Sequence, residues 1–204
     1  MATAPTANYT AIAGSWTVPT ATGVTGKTSA DAAWIGIGGV STGDLIQVGT
    51  DDTVSASGQE TSSAFYELLP QAATNIATLA VTPGDSMTAS ITELTAGQWR
   101  VMITDTTTGG SYTTTLSYIS SNSSAEWIEE DPSTTFDRLV PLDGFASVAF
   151  TGGTTTNNGA SVTIANADAQ PITLVSSTTH EPIATPSALG GAGQDFTVTQ
   201  DATP

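Results

Sequence analysis

Cysteine is absent from all 204 residues, which excludes disulfides, thiolate nucleophiles and every metal site built on sulfur. Cations are nearly absent too. Three Lys or Arg stand against nineteen Asp or Glu, with one His, for a formal net charge of -16 at pH 7. So few positive charges cannot neutralise a row of phosphates, which excludes nucleic acid as a partner. Anionic membrane surfaces are disfavoured for the same reason. No apolar run approaches the ~20 residues of a spanning helix, and no basic, apolar and small-residue leader opens the chain. The expectation is a soluble, mature-like chain. Charge of either sign is scarce: 11% of residues are charged, so solubility rests on Ser, Asn, Gly and above all Thr. Such a surface holds few salt bridges for acid to break, and below about pH 4 most carboxylates protonate and the net charge collapses. An ordinary acidic extracellular protein and a protein built to work in acid both fit.

Helical periodicity is also missing, and alternation with period two takes its place. Asn8 to Pro19 alternates around Ile12, Trp16 and Val18. Further strands are predicted over 32–37, 45–49, 63–69, 76–81, 86–94, 98–104, 113–119, 125–130, 145–150, 161–164, 172–175 and 196–199. Pro83-Gly84-Asp85, Gly109-Gly110, Asp143-Gly144 and Asn157-Asn158-Gly159 supply turns between them. Many short strands rich in Thr, Val and Ile predict an all-β fold, a two-sheet antiparallel sandwich with solvated Thr faces. A chain 38% hydrophobic supports one core, hence a single domain over 1–204. Asp131 to Leu142 and Thr178 to Gly193 are expected to be long loops.

Several chemistries can be weighed against this frame. Gly39-Val40-Ser41-Thr42-Gly43 matches the G-x-S-x-G nucleophile elbow, but that motif needs a helix after it and here another strand follows. His180 lies in a polar, Pro-bounded stretch and is expected to be a solvent-exposed loop residue. Asp51-Asp52 has no D-x-D-x-D-G context for calcium and is expected to sit in a solvated turn. The segment Glu126-Trp127-Ile128-Glu129-Glu130-Asp131 holds four of the nineteen acids within six positions. Strand alternation puts Glu126, Ile128 and Glu130 on one face and Trp127 and Glu129 on the other. A solvated strand end and a catalytic carboxylate cluster both fit, since like charges raise one another's pKa. Gln47, inside the apolar strand Leu45 to Gly49, and Glu67, inside Phe65 to Pro70, are polar intrusions of the same kind. Three such intrusions among large apolar residues point to one shared polar site on a sheet.

At these residues the chain resembles the glutamic peptidases (eqolisins), acid endopeptidases insensitive to pepstatin, and it is most similar to a prokaryotic branch. The matching segments are Tyr9 to Pro19, Ala33 to Ile37, Ile46 to Gly49, Phe65 to Pro70, Ala125 to Asp131 and Gly144 to Phe150. They run in family order from about residue 9 to 176, leaving 177–204 as a loop and a terminal strand. The resemblance implies a bent sandwich of two large antiparallel sheets (concanavalin A-like or jelly-roll-like). It implies a catalytic pair of Gln47 and Glu130. Trp34 and Glu67, with neighbouring Tyr66 and Glu126, are implied in or beside the substrate groove, and no cofactor or metal. Fungal members carry an Asp where this chain has Gly38. The implied mechanism is a Glu130 carboxylate drawing a proton from water while Gln47 holds the oxyanion of the tetrahedral intermediate. A Glu with a reference pKa near ~4.3 keeps both protonation states accessible in acid, where His stays protonated. Protein and peptide substrates follow, and with them the expectation of a secreted, monomeric mature form from which signal and prosegment are gone. Two other classes remain: a lectin-like sandwich using Trp34, Trp99 and Trp127 as stacking platforms, and a glycosidase pairing Glu67 with Glu130. Gln47 discriminates, because a two-carboxylate glycosidase has no need of it.

Overall fold

A computed structural model describes residues 1–3, 7–133 and 139–201. The strands in chain order are β1 (Ala2–Thr3), β2 (Tyr9–Thr17), β3 (Ser29–Gly38), β4 (Leu45–Val54), β5 (Glu60–Leu68), β6 (Thr74–Ala80), β7 (Ser86–Thr95) and β8 (Gln98–Asp105). They continue with β9 (Ser111–Ser117), β10 (Ser124–Glu130), β11 (Ser147–Asn157), β12 (Ala160–Thr163), β13 (Leu174–Val175), β14 (Pro182–Pro186) and β15 (Phe196–Gln200). A 3-10 turn at Ala165–Ala167 is the single helical element among the described residues. No helix is long and apolar enough to cross a membrane among them.

Two antiparallel sheets stack face to face. One has six strands in the order β1-β10-β3-β4-β5-β6. The other runs β13-β14-β15-β11-β2-β7-β8-β9, with β12 hung on β11. Alternation explains each inner face. β7 buries Met87, Ala89 and Ile91 while Thr88 and Ser86 face out, and β8 buries Trp99, Val101 and Ile103. Fully burying one such Ile or Met contributes roughly 1.5–3 kcal/mol, and a one-residue slip would turn a strand's whole apolar set to water. Two indoles tie the layers. Trp16 Nε1 on β2 donates to Thr50 Oγ1 on β4 at 2.8 Å, and Trp127 Nε1 on β10 donates to the Ala13 carbonyl at 2.9 Å. A Cβ at Gly14 would lie 3.0 Å from the Trp127 ring, so this position must stay bare for the indole to pass.

β3 is buried on both faces along its whole length. Its inner face carries Asp31, Ala33, Ile35 and Ile37; its outer face carries Ala30, Ala32, Trp34, Gly36 and Gly38. Small residues alternating with one indole leave a depression on the outside of the six-stranded sheet. That depression positions the site.

Two expectations need correction. The stretch 178–193 is not one long loop, because Pro182–Pro186 forms β14, paired with β13 and β15. Asp51 and Asp52 are not turn residues: β4 continues to Val54, and Asp52 is fully buried inside it. Of the predicted loop 131–142, residues 134–138 lie outside the described set; its rest is tied down by bridges Ser133↔Leu139 and Ala30↔Leu142.

Candidate active site

Strand register builds the outer face row by row. Glu126, Gly36, Gln47 and Glu67 stand side by side across β10, β3, β4 and β5. The next row is Ile128, Trp34, Gly49 and Phe65, and the third is Glu130, Ala32, Asp51 and Ser63. The middle row is an apolar floor, where Trp34, Phe65 and Ala32 cluster with Leu45 and Ile128. A Cβ at Gly49 would fall 2.3 Å from the Ala33 carbonyl and 2.5 Å from Trp34 Cβ, so the indole can occupy the floor only beside glycine.

Hydrogen bonds fix the polar side chains. Trp34 Nε1 donates to Glu130 Oε1 at 3.1 Å. Gln47 Nε2 donates to Glu67 Oε2, while Gln47 Oε1 is buried without a partner. Ser124 Oγ donates to Glu126 Oε1 at 2.7 Å. The Tyr118 hydroxyl accepts from the Leu45 N–H at 2.7 Å and donates to the Leu69 carbonyl at 2.9 Å. It thereby pins the start of β4 to the end of β5, two residues from Gln47 and Glu67. No sequence pattern singled out Tyr118.

Burial dominates the electrostatics. It pushes Glu130 up to about 7; the Trp34 N–H works against this, and the charges of Asp131, Glu126 and Glu67 work with it. Burial also raises Glu126 and Glu67. That Glu126 and Glu67 both act on Glu130 places the three on one electrostatic surface. A cavity of ≈ 740 Å³ meets this face at Trp34, Glu126 and Glu130, and its far wall is apolar, with Leu174, Pro186, Leu189 and Phe196. Gln47 and Glu67 lie outside its lining.

Most expected site residues therefore come together: Gln47, Glu67, Glu126, Glu130 and Trp34 share one face. Tyr66 does not. It projects from the opposite side of β5, packs against the main core and stacks on Tyr112 with ring centroids 6.2 Å apart; adjacency in sequence to Glu67 put it on the wrong face. Ser41 is exposed in the hairpin between β3 and β4, with no helix after it, so the nucleophile elbow is excluded. His180 is exposed, as expected. Trp99 and Trp127 are buried and bonded to backbone carbonyls, which removes two of the three proposed stacking platforms.

A second cluster was missed. Directly beneath the site, on the inner face, lie the buried carboxyls of Asp31, Asp52, Glu129 and Asp143. Asp31 and Asp52 are register partners, and both carboxyl oxygens of Asp31, Glu129 and Asp143 are buried without a hydrogen-bond partner. Period-two alternation from Ile37 back through Ile35 and Ala33 assigns Asp31 to the core, but the predicted strand starts only at Ala32.

The fold defines an all-β two-sheet sandwich with carboxylates on one outer face, and comparison with known proteins identifies its kin. The model of the peptidase A4 family matches residues 1–199, and the chain belongs to that family. It is 31% identical over 136 residues to aspergillopepsin-2 of Aspergillus niger, covering 64% of this chain. The chain spans about half the length of that relative, 48%. Aspergilloglutamic peptidase from Aspergillus niger superposes with a TM-score of 0.75 at 28% identity, over 85% of this chain and 99% of the other. Scytalido-glutamic peptidase, solved with a transition state analog inhibitor, has the same fold, with a TM-score of 0.78 at 24% identity over 95% and 93% of the chains.

Proposed function

We propose that the chain is a secreted, monomeric acid endopeptidase whose catalytic pair is Glu130 and Gln47, with Trp34 and Glu126 lining the groove for an extended polypeptide. The observation that carries this is the shared outer face. A carboxyl held by an indole N–H and an amide with an unpartnered buried oxygen stand on either side of the Trp34 floor. Ionised Glu130 draws a proton from water as it attacks the scissile carbonyl, and the amide of Gln47 orients that water and stabilises the oxyanion. Protonated Glu130 then returns the proton to the departing amine. Family membership supports peptide hydrolysis; the scarcity of cations supports work in acid.

The environment changes one part of the expected chemistry. Glu130 does not titrate near the ordinary glutamate value but at about 7, so it is a stronger base when ionised and resides as the acid at low pH. That favours a second version, in which resident Glu130 acid gives its proton to the scissile carbonyl oxygen, and the carboxylate so formed takes a proton from the Gln47-held water as it adds and passes it to the departing amine. Initial-rate kcat/KM on a denatured protein at pH 3–6, with pepstatin present, separates the two. A base gives a rise approaching tenfold per pH unit; an acid gives a flat or falling profile. For either version, Glu130→Gln abolishes cleavage while leaving the fold intact, because it keeps the shape and removes the proton carrier. Wild-type turnover by pure, folded Glu130→Gln refutes the assignment.

A further inference from the structure

Glu67 takes no part in the proton transfers above, yet its carboxylate is aimed at Gln47. The two residues are direct register partners on β4 and β5, and Gln47 Nε2 donates to Glu67 Oε2. A primary amide has two ends of nearly equal size and opposite polarity, and a half-turn exchanges them. For a residue that must offer oxygen to water and N–H to an oxyanion, the choice of end decides whether the site works. A carboxylate accepts and does not donate, so it selects the amine end. The other end, Oε1, is then left buried and unpartnered, as an acceptor reserved for water, and the second N–H of Nε2 stays available to the oxyanion.

We propose, resting on the peptidase function above, that Glu67 is a positioning residue that fixes which end of the Gln47 amide meets water and which meets the oxyanion. It acts through Gln47 and touches no reacting atom. Glu67→Ala frees the amide to turn, and Glu67→Gln puts an NH2 where one carboxylate oxygen stood, so the residue at 67 can present a donor as well as an acceptor and no longer selects one end of Gln47.

The test is steady-state cleavage of one peptide by the wild type, Glu67→Ala, Glu67→Gln, Gln47→Ala, Glu130→Gln and the double variant Gln47→Ala/Glu67→Ala, each checked for folding by thermal melting. Glu67→Ala is expected to lower kcat roughly ten- to a hundredfold with KM nearly unchanged, less than the ~10²–10³-fold loss of an oxyanion donor itself. Glu67→Gln, which keeps size and shape, is expected to lose kcat as well. In the Gln47→Ala background, removing Glu67 should cost little further, because coupled residues are not additive. A KM rise at constant kcat would make Glu67 a substrate contact and overturn the proposal. An equal loss in both backgrounds would make its role merely structural, and wild-type kcat in Glu67→Gln would show that the acceptor is not needed. An inactive wild type or an active Glu130→Gln removes the peptidase function first and the proposal with it, a failure distinct from those of the Glu67 variants.

Discussion

Raising the pH toward neutrality is expected to unfold this protein, and the inner carboxyl cluster sets the size of the effect. Asp52 is fully buried on β4, with one oxygen accepting the Ser62 hydroxyl and the other without a partner. Burial, reinforced by the charges of Asp143, Glu60 and Asp51, pushes it up to about 7. Burial and neighbouring carboxylates also raise Asp31, Glu129 and Asp143. Both carboxyl oxygens of Asp31, Glu129 and Asp143 are buried without a partner, so ionising any of them leaves an uncompensated charge among like charges. In each case the folded pKa lies above the unfolded one. The stability they contribute is therefore fully present below about pH 4 and is lost as pH rises through the folded values. For Asp52 alone the difference from an unfolded value near ~3.9 is about 3 units, or about 4 kcal/mol lost between pH 4 and 7. A whole domain is stable by only about 5–15 kcal/mol, so the remaining three carboxyls bring the folded state close to balance at neutral pH.

The assay is thermal unfolding at fixed salt from pH 3 to 8, on wild type and Asp52→Asn. The amide keeps the shape and cannot ionise. The melting temperature of the wild type should fall steadily above pH 4. Asp52→Asn should fall less steeply, its stability slope between pH 4 and 7 shallower by about 1.4 kcal/mol per pH unit, the contribution of one proton. A melting temperature that is flat or climbs toward pH 7, or an Asp52→Asn slope equal to that of the wild type, refutes the reasoning.

Gln47→Ala is expected to lower kcat by ~10²–10³-fold at nearly constant KM, measured with a single peptide; a rise in KM alone would make Gln47 a binding residue. Trp34→Phe keeps the apolar floor but removes the N–H bonded to Glu130. Its kcat/KM–pH midpoint should therefore move up, since the donor that favoured the charged carboxylate is gone, and a midpoint that moves down contradicts the placement of that hydrogen bond.

Alternation made most of the molecule legible before any coordinates. β7 and β8 follow from Met87, Ala89, Ile91 and Trp99, Val101, Ile103 spaced two apart. Gln47 stood out for the same reason, as a polar residue inside an apolar strand, and register then brought it beside Glu67 and into one row with Glu126. The misses share another cause: residue type was allowed to override period. Asp52 was given to a solvated turn because it is charged, although its strand phase is that of Val48, and Asp31, in phase with Ile35, fell just outside the strand predicted from Ala32. β14 was passed over because prolines stand at both of its ends, positions where a missing N–H does not stop pairing of the residues between. The acidic pocket chemistry of Glu130 could not have been read at all, because its pKa depends on burial under contacts distant in sequence, such as the Trp34 indole.

Glu129 and Glu130 are sequence neighbours on opposite faces of one strand, so pH acts on them through the same backbone with opposite consequences. Ionising Glu130 creates the base on the outer face, while ionising Glu129 leaves an unpartnered buried charge beside Asp52 and Asp143. Under general-base chemistry, activity rises with pH toward about 7 while the folded fraction falls, and the working optimum lies where the two cross, on the acid side of neutrality. The acid preference of such an enzyme would then come from its core and not from its catalytic group. Glu129→Gln tests this. The amide cannot ionise, so the melting temperature at pH 7 should rise and the activity optimum in long incubations should move upward. Glu130 keeps its own surroundings, apart from one like charge removed from the next residue, so the midpoint of initial-rate kcat/KM should stay or fall slightly. If Glu129→Gln stabilises the protein at pH 7 and the optimum does not move, the acid limit lies in the catalytic face after all.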